Sequence, residues 1–155
     1  MFKISTKGDY GLLLLSALAE KVGLGFVSLK KIAEEKNLSV QYLSQIVIPL
    51  KMAGFVESRE GLGGGYRLAK DPSEINLMEV LEILEGGVTP VKCCGESNDG
   101  KRCGSEPRCG MKGVWHDAQN LIRHFLQGKT LADTTRYASA PMASHGETSN
   151  VEIIR

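Results

Sequence analysis

Residues 38–71 read LSVQYLSQIVIPLKMAGFVESREGLGGGYRLAKD, and the pattern changes period half-way along. Ser39 is a good helix cap. Behind it Leu43, Ile46, Val47 and Leu50 recur at three-four spacing, which predicts a helix from Val40 to Ala53 with one apolar face. Pro49 lies late in that helix, removes one backbone donor and is expected to bend it. Ala53-Gly54 ends the helix, and Phe55–Arg59 and Gly65–Ala69 read as two strands around Glu60-Gly-Leu-Gly-Gly64. A plain hairpin turn does not need the run Gly63 to Gly65. These glycines let the backbone at the tip approach a partner closely, and Arg59 and Arg67 flank them where a phosphate or a minor groove would lie.

Upstream, Ser28 caps a short helix from Leu29 to Lys36, with Leu29, Ile32 and Ala33 on one face, and Asn37-Leu38 makes a tight turn into the next helix. Two short helices joined by such a turn form a helix-turn-helix pattern, although a helical hairpin of an unrelated fold would look the same. The glycine-tipped hairpin that follows resolves this in favour of a winged helix-turn-helix. Ser39, Gln41, Tyr42 and Gln45 then fall near the start of the second helix, where such readers meet base edges. Further upstream, Thr6 followed by Asp9 reads as a cap with its carboxylate partner, opening a helix that ends near Lys21.

Downstream, Asp71-Pro-Ser-Glu74 reads as a linker. Asn76 caps a helix from Leu77 to Glu85, with Leu77, Val80, Leu81 and Leu84 inward and Gly86-Gly87 as its stop. Met111 to Gln127 is a strongly amphipathic helix whose stripe comprises Val114, Trp115, Ala118, Leu121, Ile122, Phe125 and Leu126. So wide a stripe can pack on its own domain or on a second copy of the chain; the second copy is favoured, because a helix-turn-helix reader usually works as a symmetric dimer over two half-sites. Thr130 and Asp133 cap a last short helix. From Ser139 the chain is Ser, Ala, Gly and Thr with scattered charge, which predicts a disordered tail.

The expected class is thus mainly α with a small β wing: a winged helix-turn-helix domain plus a long C-terminal dimerisation helix. The expected divisions are 1–75 for the DNA-binding domain, 76–91 for a connecting helix, 92–112 for a cysteine loop, 113–138 for the dimerisation helix and short final helix, and 139–155 for the tail.

The cysteine loop holds all four cysteines, Cys93, Cys94, Cys103 and Cys109, and between Lys92 and Lys112 its only large apolar side chain is Met111. Burial cannot offset the entropy of ordering such a segment, so something bound must order it. The opening residues MFKISTKGDYG carry no apolar signal segment, so the chain is expected to be cytoplasmic, where reduced thiols bind metals or do redox chemistry. The absence of a C-x-x-C pair is a poor match to zinc knuckles. Soft thiolates on a glycine-rich loop suit an iron–sulfur cluster at least as well, with free redox thiols a third option.

At 155 residues and 42% hydrophobic, the chain is long enough for one core with an appendage, and no apolar run approaches the ~20 residues that span a bilayer. The net charge of +1 hides an asymmetry: residues 1–70 carry ten Lys and Arg against six acids, leaving the rest of the chain acidic. A modestly basic N-terminal half can seat on phosphates. A zinc enzyme is disfavoured, since no H-E-x-x-H occurs and no acid-base set converges with the cysteines.

Three stretches together resemble the IscR/NsrR family of bacterial winged-helix regulators. They are ISTKGDYGLLLL near the start, the pair LSVQYLSQI and LKMAGFVESREGLGGGYRLAKD, and the cysteine loop between a wing-following helix and a long amphipathic helix. The resemblance covers residues 2 to about 135. It implies a homodimeric regulator of double-stranded promoter DNA, with crossing C-terminal helices and a cluster on three loop cysteines, 2Fe-2S favoured and 4Fe-4S possible. Cys93, Cys103 and Cys109 match the family's ligands, with Cys94 as a possible substitute for Cys93 because nine residues separate Cys93 from Cys103, a longer gap than in the best-known members.

Where cluster-biogenesis regulators of the family place a histidine ligand, this chain has Lys112, and a protonated lysine cannot ligate. The resemblance to nitric-oxide-sensing relatives implies Asp9, from the partner subunit, as the fourth ligand; His116 is the rival. Ser44 stands where some relatives carry a discriminating glutamate, and Arg59, Gly63 and Gly64 stand in the wing. The implied role is a repressor or activator that senses iron–sulfur or redox status and controls cluster-assembly genes. The alternatives are a cluster-free regulator of the same fold, for example in cysteine metabolism, and a nitric-oxide-sensing repressor.

Overall fold

The computed structural model describes residues 4–87 and 109–139, in the order α1 (Thr6–Ala19), α2 (Leu29–Lys36), α3 (Val40–Met52), β1 (Val56–Arg59), β2 (Gly65–Leu68), a 3-10 turn (Pro72–Glu74), α4 (Leu77–Glu85), α5 (Met111–Gln127) and α6 (Leu131–Ser139). It is mostly helical with one two-stranded antiparallel sheet, the winged helix-turn-helix architecture expected from the sequence. Cys93, Cys94, Cys103 and the tail beyond Ser139 lie outside the described residues.

Helix α1 is the hub. Its Leu14, Leu15 and Ala17 are wholly buried among Leu43, Ile46 and Leu50 of α3, Ile32 of α2, Val80 and Leu84 of α4 and Leu131 of α6. Close approach of α4 depends on Gly11, where an added Cβ would lie 2.2 Å from Leu84 Cδ1 and 3.4 Å from Ile46 Cγ2. A side chain at that position would have to displace Leu84 while already in contact with Ile46.

Caps set most helix starts. Ser28 accepts from the Lys31 amide, Ser39 from the Tyr42 amide, and Asn76 from the Met78 and Glu79 amides. Helix α1 departs from expectation, because Ser5 rather than Thr6 is its cap. Ser5 has extended backbone, so its hydroxyl oxygen accepts from the Lys7 and Gly8 amides, whereas Thr6 is already helical. The same hydroxyl donates to Glu85 Oε1 at 2.5 Å, a contact 80 residues distant in sequence. Asn37 closes α2 in the left-handed conformation and the Leu38 amide returns to the Ala33 carbonyl, giving the tight turn into α3. The predicted linker at Asp71 is instead a capped turn, with Asp71 and Glu74 bonding each other's backbone.

The wing is more than a hairpin. Strands β1 and β2 pair with Val56 opposite Leu68 and Arg59 opposite Gly65, and on the other side of β2 Val27 exchanges both backbone hydrogen bonds with Tyr66, at 2.9 and 2.8 Å. Gly65 permits that third pairing. Its φ is +143°, and a Cβ there would sit 2.4 Å from the Val27 carbonyl oxygen.

Helix α5 is held at one end and along one edge. The Asn76 side-chain amide donates to the Gln127 and Lys129 carbonyls, the Leu77 amide to Lys129 and the Leu131 amide to Ile75. Arg123 pairs with Glu82. Ile122 and Leu126 pack on Met78 and Leu81, so Met78, absent from the expected inward set, is fully buried while Leu77 is only half-buried. The rest of the α5 stripe stays open, with Val114 54%, Leu121 60% and Phe125 56% exposed. No helix among the described residues is long and apolar enough to cross a membrane.

Because the obstacle at residue 65 is backbone, Gly65→Ala is expected to cost about 2–3 kcal/mol of stability, through overpacking and the positive φ together. Urea denaturation checks this; an unchanged midpoint would show that the wing does not depend on its pairing with Val27.

Candidate nucleic-acid interface

The buried face of α3 fixes which residues it shows to solvent. With Leu43, Ile46, Val47 and Leu50 in the core, Gln41, Ser44, Gln45, Ile48 and Met52 share the outward face by three-four spacing. Each glutamine carries a paired donor and acceptor of the kind that recognises an adenine edge, and the exposed apolar Ile48 and Met52 suit contact with thymine methyl groups. Ser44 turns its hydroxyl back to the Val40 carbonyl at 2.9 Å, which leaves its oxygen able to accept from outside. Ser39 is exposed and holds the helix start. Tyr42 differs from these: it is half-buried, its ring edge-on to Tyr10 of α1 at 5.6 Å and 83°, so it anchors α3 to the hub.

The wing stands beside this helix. Lys51 Nζ donates to Ser58 Oγ at 2.5 Å, tying the end of α3 to β1. At the tip, Arg59 Nη2 donates to the Gly63 carbonyl at 2.9 Å, and the Gly64 amide closes the turn onto the Gly61 carbonyl. Arg67 pairs with Glu57 across the strands. Beneath both arginines lies Phe26, with the Arg59 and Arg67 guanidinium carbons 4.5 and 4.6 Å from its ring centroid.

Phe26 was not among the residues expected from sequence, because nothing local in Gly25-Phe26-Val27 reveals a pairing with a strand forty residues later. A lone aromatic between a glycine pair and a capped helix was the only available signal.

Charge at the base of the reader is balanced by crossed pairs between α1 and α2: Lys21 to Glu35 at 2.6 Å and Lys36 to Glu20 at 2.9 Å. The Lys21 hydrogen bond holds the Glu35 carboxyl below the usual carboxylate range.

These features agree with what comparison with known proteins finds. Residues 4–137 match the Rrf2 family, described as iron-dependent transcriptional regulators. The chain belongs to the Rrf2 family. The HTH-type transcriptional regulator CymR of Bacillus subtilis is 36% identical over 143 residues, covering 92% of this chain and 96% of that protein. The solved structure of CymR, the global cysteine regulator of B. subtilis, superposes with a TM-score of 0.72 at 39% identity, covering 88% of this chain and 98% of that one. The structure of T. potens IscR gives a TM-score of 0.69 at 36% identity, covering 94% and 93%. As an Rrf2 regulator, the chain is a DNA-binding transcriptional regulator.

Of the expected metal ligands in this Rrf2 chain, two are described. Cys109 is a free, half-buried thiol just ahead of α5, and Asp9 is exposed in the first turn of α1. Since Ser5 caps α1, Asp9 is not a capping partner, and its carboxylate has no hydrogen bond or ion pair among the described residues. His116 is half-buried on α5. Among the described residues no three His, Cys, Asp or Glu side chains gather to hold a metal ion.

Ser39→Ala is expected to cost about 1 kcal/mol of stability through loss of the cap. Gln41→Ala and Gln45→Ala should stay within about 0.5 kcal/mol of the wild type, as exposed positions do. Chemical denaturation of the three variants tests this assignment of cap and open face; destabilisation by either glutamine change would place that residue in the packing.

Proposed function

We propose that the chain is a dimeric regulator that reads duplex operators with α3 and the wing and reports iron–sulfur or redox status through a cluster held by Cys93, Cys103, Cys109 and Asp9. Its targets on this reading include genes for cluster assembly. Ser39, Gln41, Tyr42, Ser44 and Gln45 form the major-groove side, Tyr42 chiefly by fixing the helix, and Arg59, Gly63 and Gly64 form the wing side. The open face of α5, built from Val114, Trp115, Leu121 and Phe125, supports pairing with a second copy. A two-fold reader of this kind matches half-sites about one helical turn, or a multiple of it, apart.

The observation that carries the metal half of the proposal is Asp9: an exposed carboxylate in the hub helix that loses its expected place as capping partner because the cap is Ser5 and not Thr6. Three thiolates with one carboxylate form a donor set that suits a small iron–sulfur cluster, which when bound supplies a centre sensitive to oxidants and nitric oxide. Asp9 stands one residue before Tyr10, whose ring meets Tyr42 of the reading helix. Ligation at Asp9 therefore acts on the element that orients α3.

A second reading has its own support. Likeness to CymR over nearly the whole chain, together with Lys112 in place of a histidine ligand, favours a regulator linked to cysteine metabolism whose thiols bind no cluster.

Purification without oxygen, followed by iron and sulfide analysis and a visible spectrum, separates the two readings. The cluster reading expects visible absorption with iron and sulfide in matching amounts, lost in Cys109→Ser and Asp9→Ala and kept in His116→Ala. Colourless, sulfide-free protein that still binds its operators at full strength would leave the cysteine-linked reading standing.

A further inference from the structure

The Val27–Tyr66 bridge sets a register that continues one residue along each strand, so Phe26 stands beside Arg67 and Arg67 stands opposite Glu57. Cross-strand partners share a face, and Arg59 lies two residues beyond Glu57 on β1, hence on that same face. One aromatic ring therefore receives two guanidinium groups, at 4.5 and 4.6 Å. The two cations are not equivalent. Arg67 is neutralised by Glu57, whereas Arg59 donates to an uncharged carbonyl at Gly63, and no carboxylate lies within ion-pair distance of it among the described residues.

We infer that Phe26 is the positioning residue of the wing, a platform that holds the uncompensated Arg59 guanidinium in the orientation in which it enters a narrow, A·T-rich minor groove. This rests on the proposed role of the wing in DNA binding. A free arginine samples many rotamers and must lose them on entering a groove. Stacked on the Phe26 ring and pinned at the tip carbonyl, Arg59 has lost most of them before DNA arrives. Its full charge remains available to the enhanced negative potential of a narrow minor groove. Arg67, with its charge already matched, completes the stack and adds little attraction for DNA. Phe26 itself acts through Arg59.

The test uses the full chain and duplexes selected from a random library by the wild-type protein, with affinity measured by fluorescence anisotropy across a salt series. Four variants are needed: Phe26→Leu, which keeps apolar bulk but removes the π face, Phe26→Tyr, Arg59→Ala, and the Phe26→Leu/Arg59→Ala pair. Phe26→Leu should weaken binding about fivefold, the size of one cation–π contact, and Phe26→Tyr should bind like the wild type. Arg59→Ala should weaken binding about tenfold and reduce the salt slope by about one. The double variant should be no weaker than Arg59→Ala alone.

Additive losses in the double variant, or a Phe26→Leu protein that binds normally while Arg59→Ala fails, would overturn the role of Phe26 and leave the wing contact intact. An Arg59→Ala protein with unchanged affinity and salt slope would instead overturn the wing contact, and the platform with it. A measurement on the wild type alone covers the case in which Phe26→Leu does not fold. Side-chain NMR signals of Arg59 should be shifted upfield by the ring; random-coil positions for Arg59 would refute the platform.

Discussion

Leu84 of α4 reaches the space left by the missing side chain of Gly11, and in doing so touches the surface of α1 against which Ile46 of α3 also packs. That close approach lets one 14-residue helix serve as the common wall for the reader helix, the connecting helix and α6. The same helix carries Asp9 and Tyr10 near its start and is bound by Ser5 to Glu85, three residues before the segment that leads into the cysteines. Interiors this closely packed transmit displacement rather than absorb it. A change at either end of α4 therefore reaches α3 through direct contact with α1, without a long chain of intermediaries.

Much of the fold could be read from sequence because it is fixed locally. Ser28, Ser39 and Asn76 satisfy amides two or three residues away, so the starts of α2, α3 and α4 are written beside them, and the glycine-rich tip announces the wing. Sequence reasoning failed where a distant partner decided the outcome. Two adjacent hydroxyls, Ser5 and Thr6, compete for one cap, and the one that also reaches Glu85 takes it. Met78 is buried and Leu77 half-exposed because α5 lies over Met78. The linker at Asp71 closes into a capped turn. At the candidate interface the exposed glutamines followed from helix periodicity, whereas Tyr42 as an anchor and Phe26 as a platform depend on Tyr10 and on the wing.

The basic character of the N-terminal half is not evenly spread. Lys21, Lys36 and Arg67 are each matched by a glutamate, and Lys30 lies 4.0 Å from Glu34 on an exposed helix face. The Lys30 and Arg67 pairs are exposed and contribute little to stability, but all four remove local potential from the positions they occupy. What remains unmatched includes Lys51 and Arg59, beside the open face of α3.

The wing is fastened twice, by the Val27–Tyr66 exchange to the segment entering α2 and by Lys51 to the end of α3. Its separation from the reading helix is consequently a fixed gauge rather than an adjustable arm. On the proposed mode of binding, each base pair inserted between the contacts of α3 and the wing lengthens the duplex by about 3.4 Å and turns it by roughly a tenth of a revolution, so a caliper of this kind would reject sites by spacing as well as by letter.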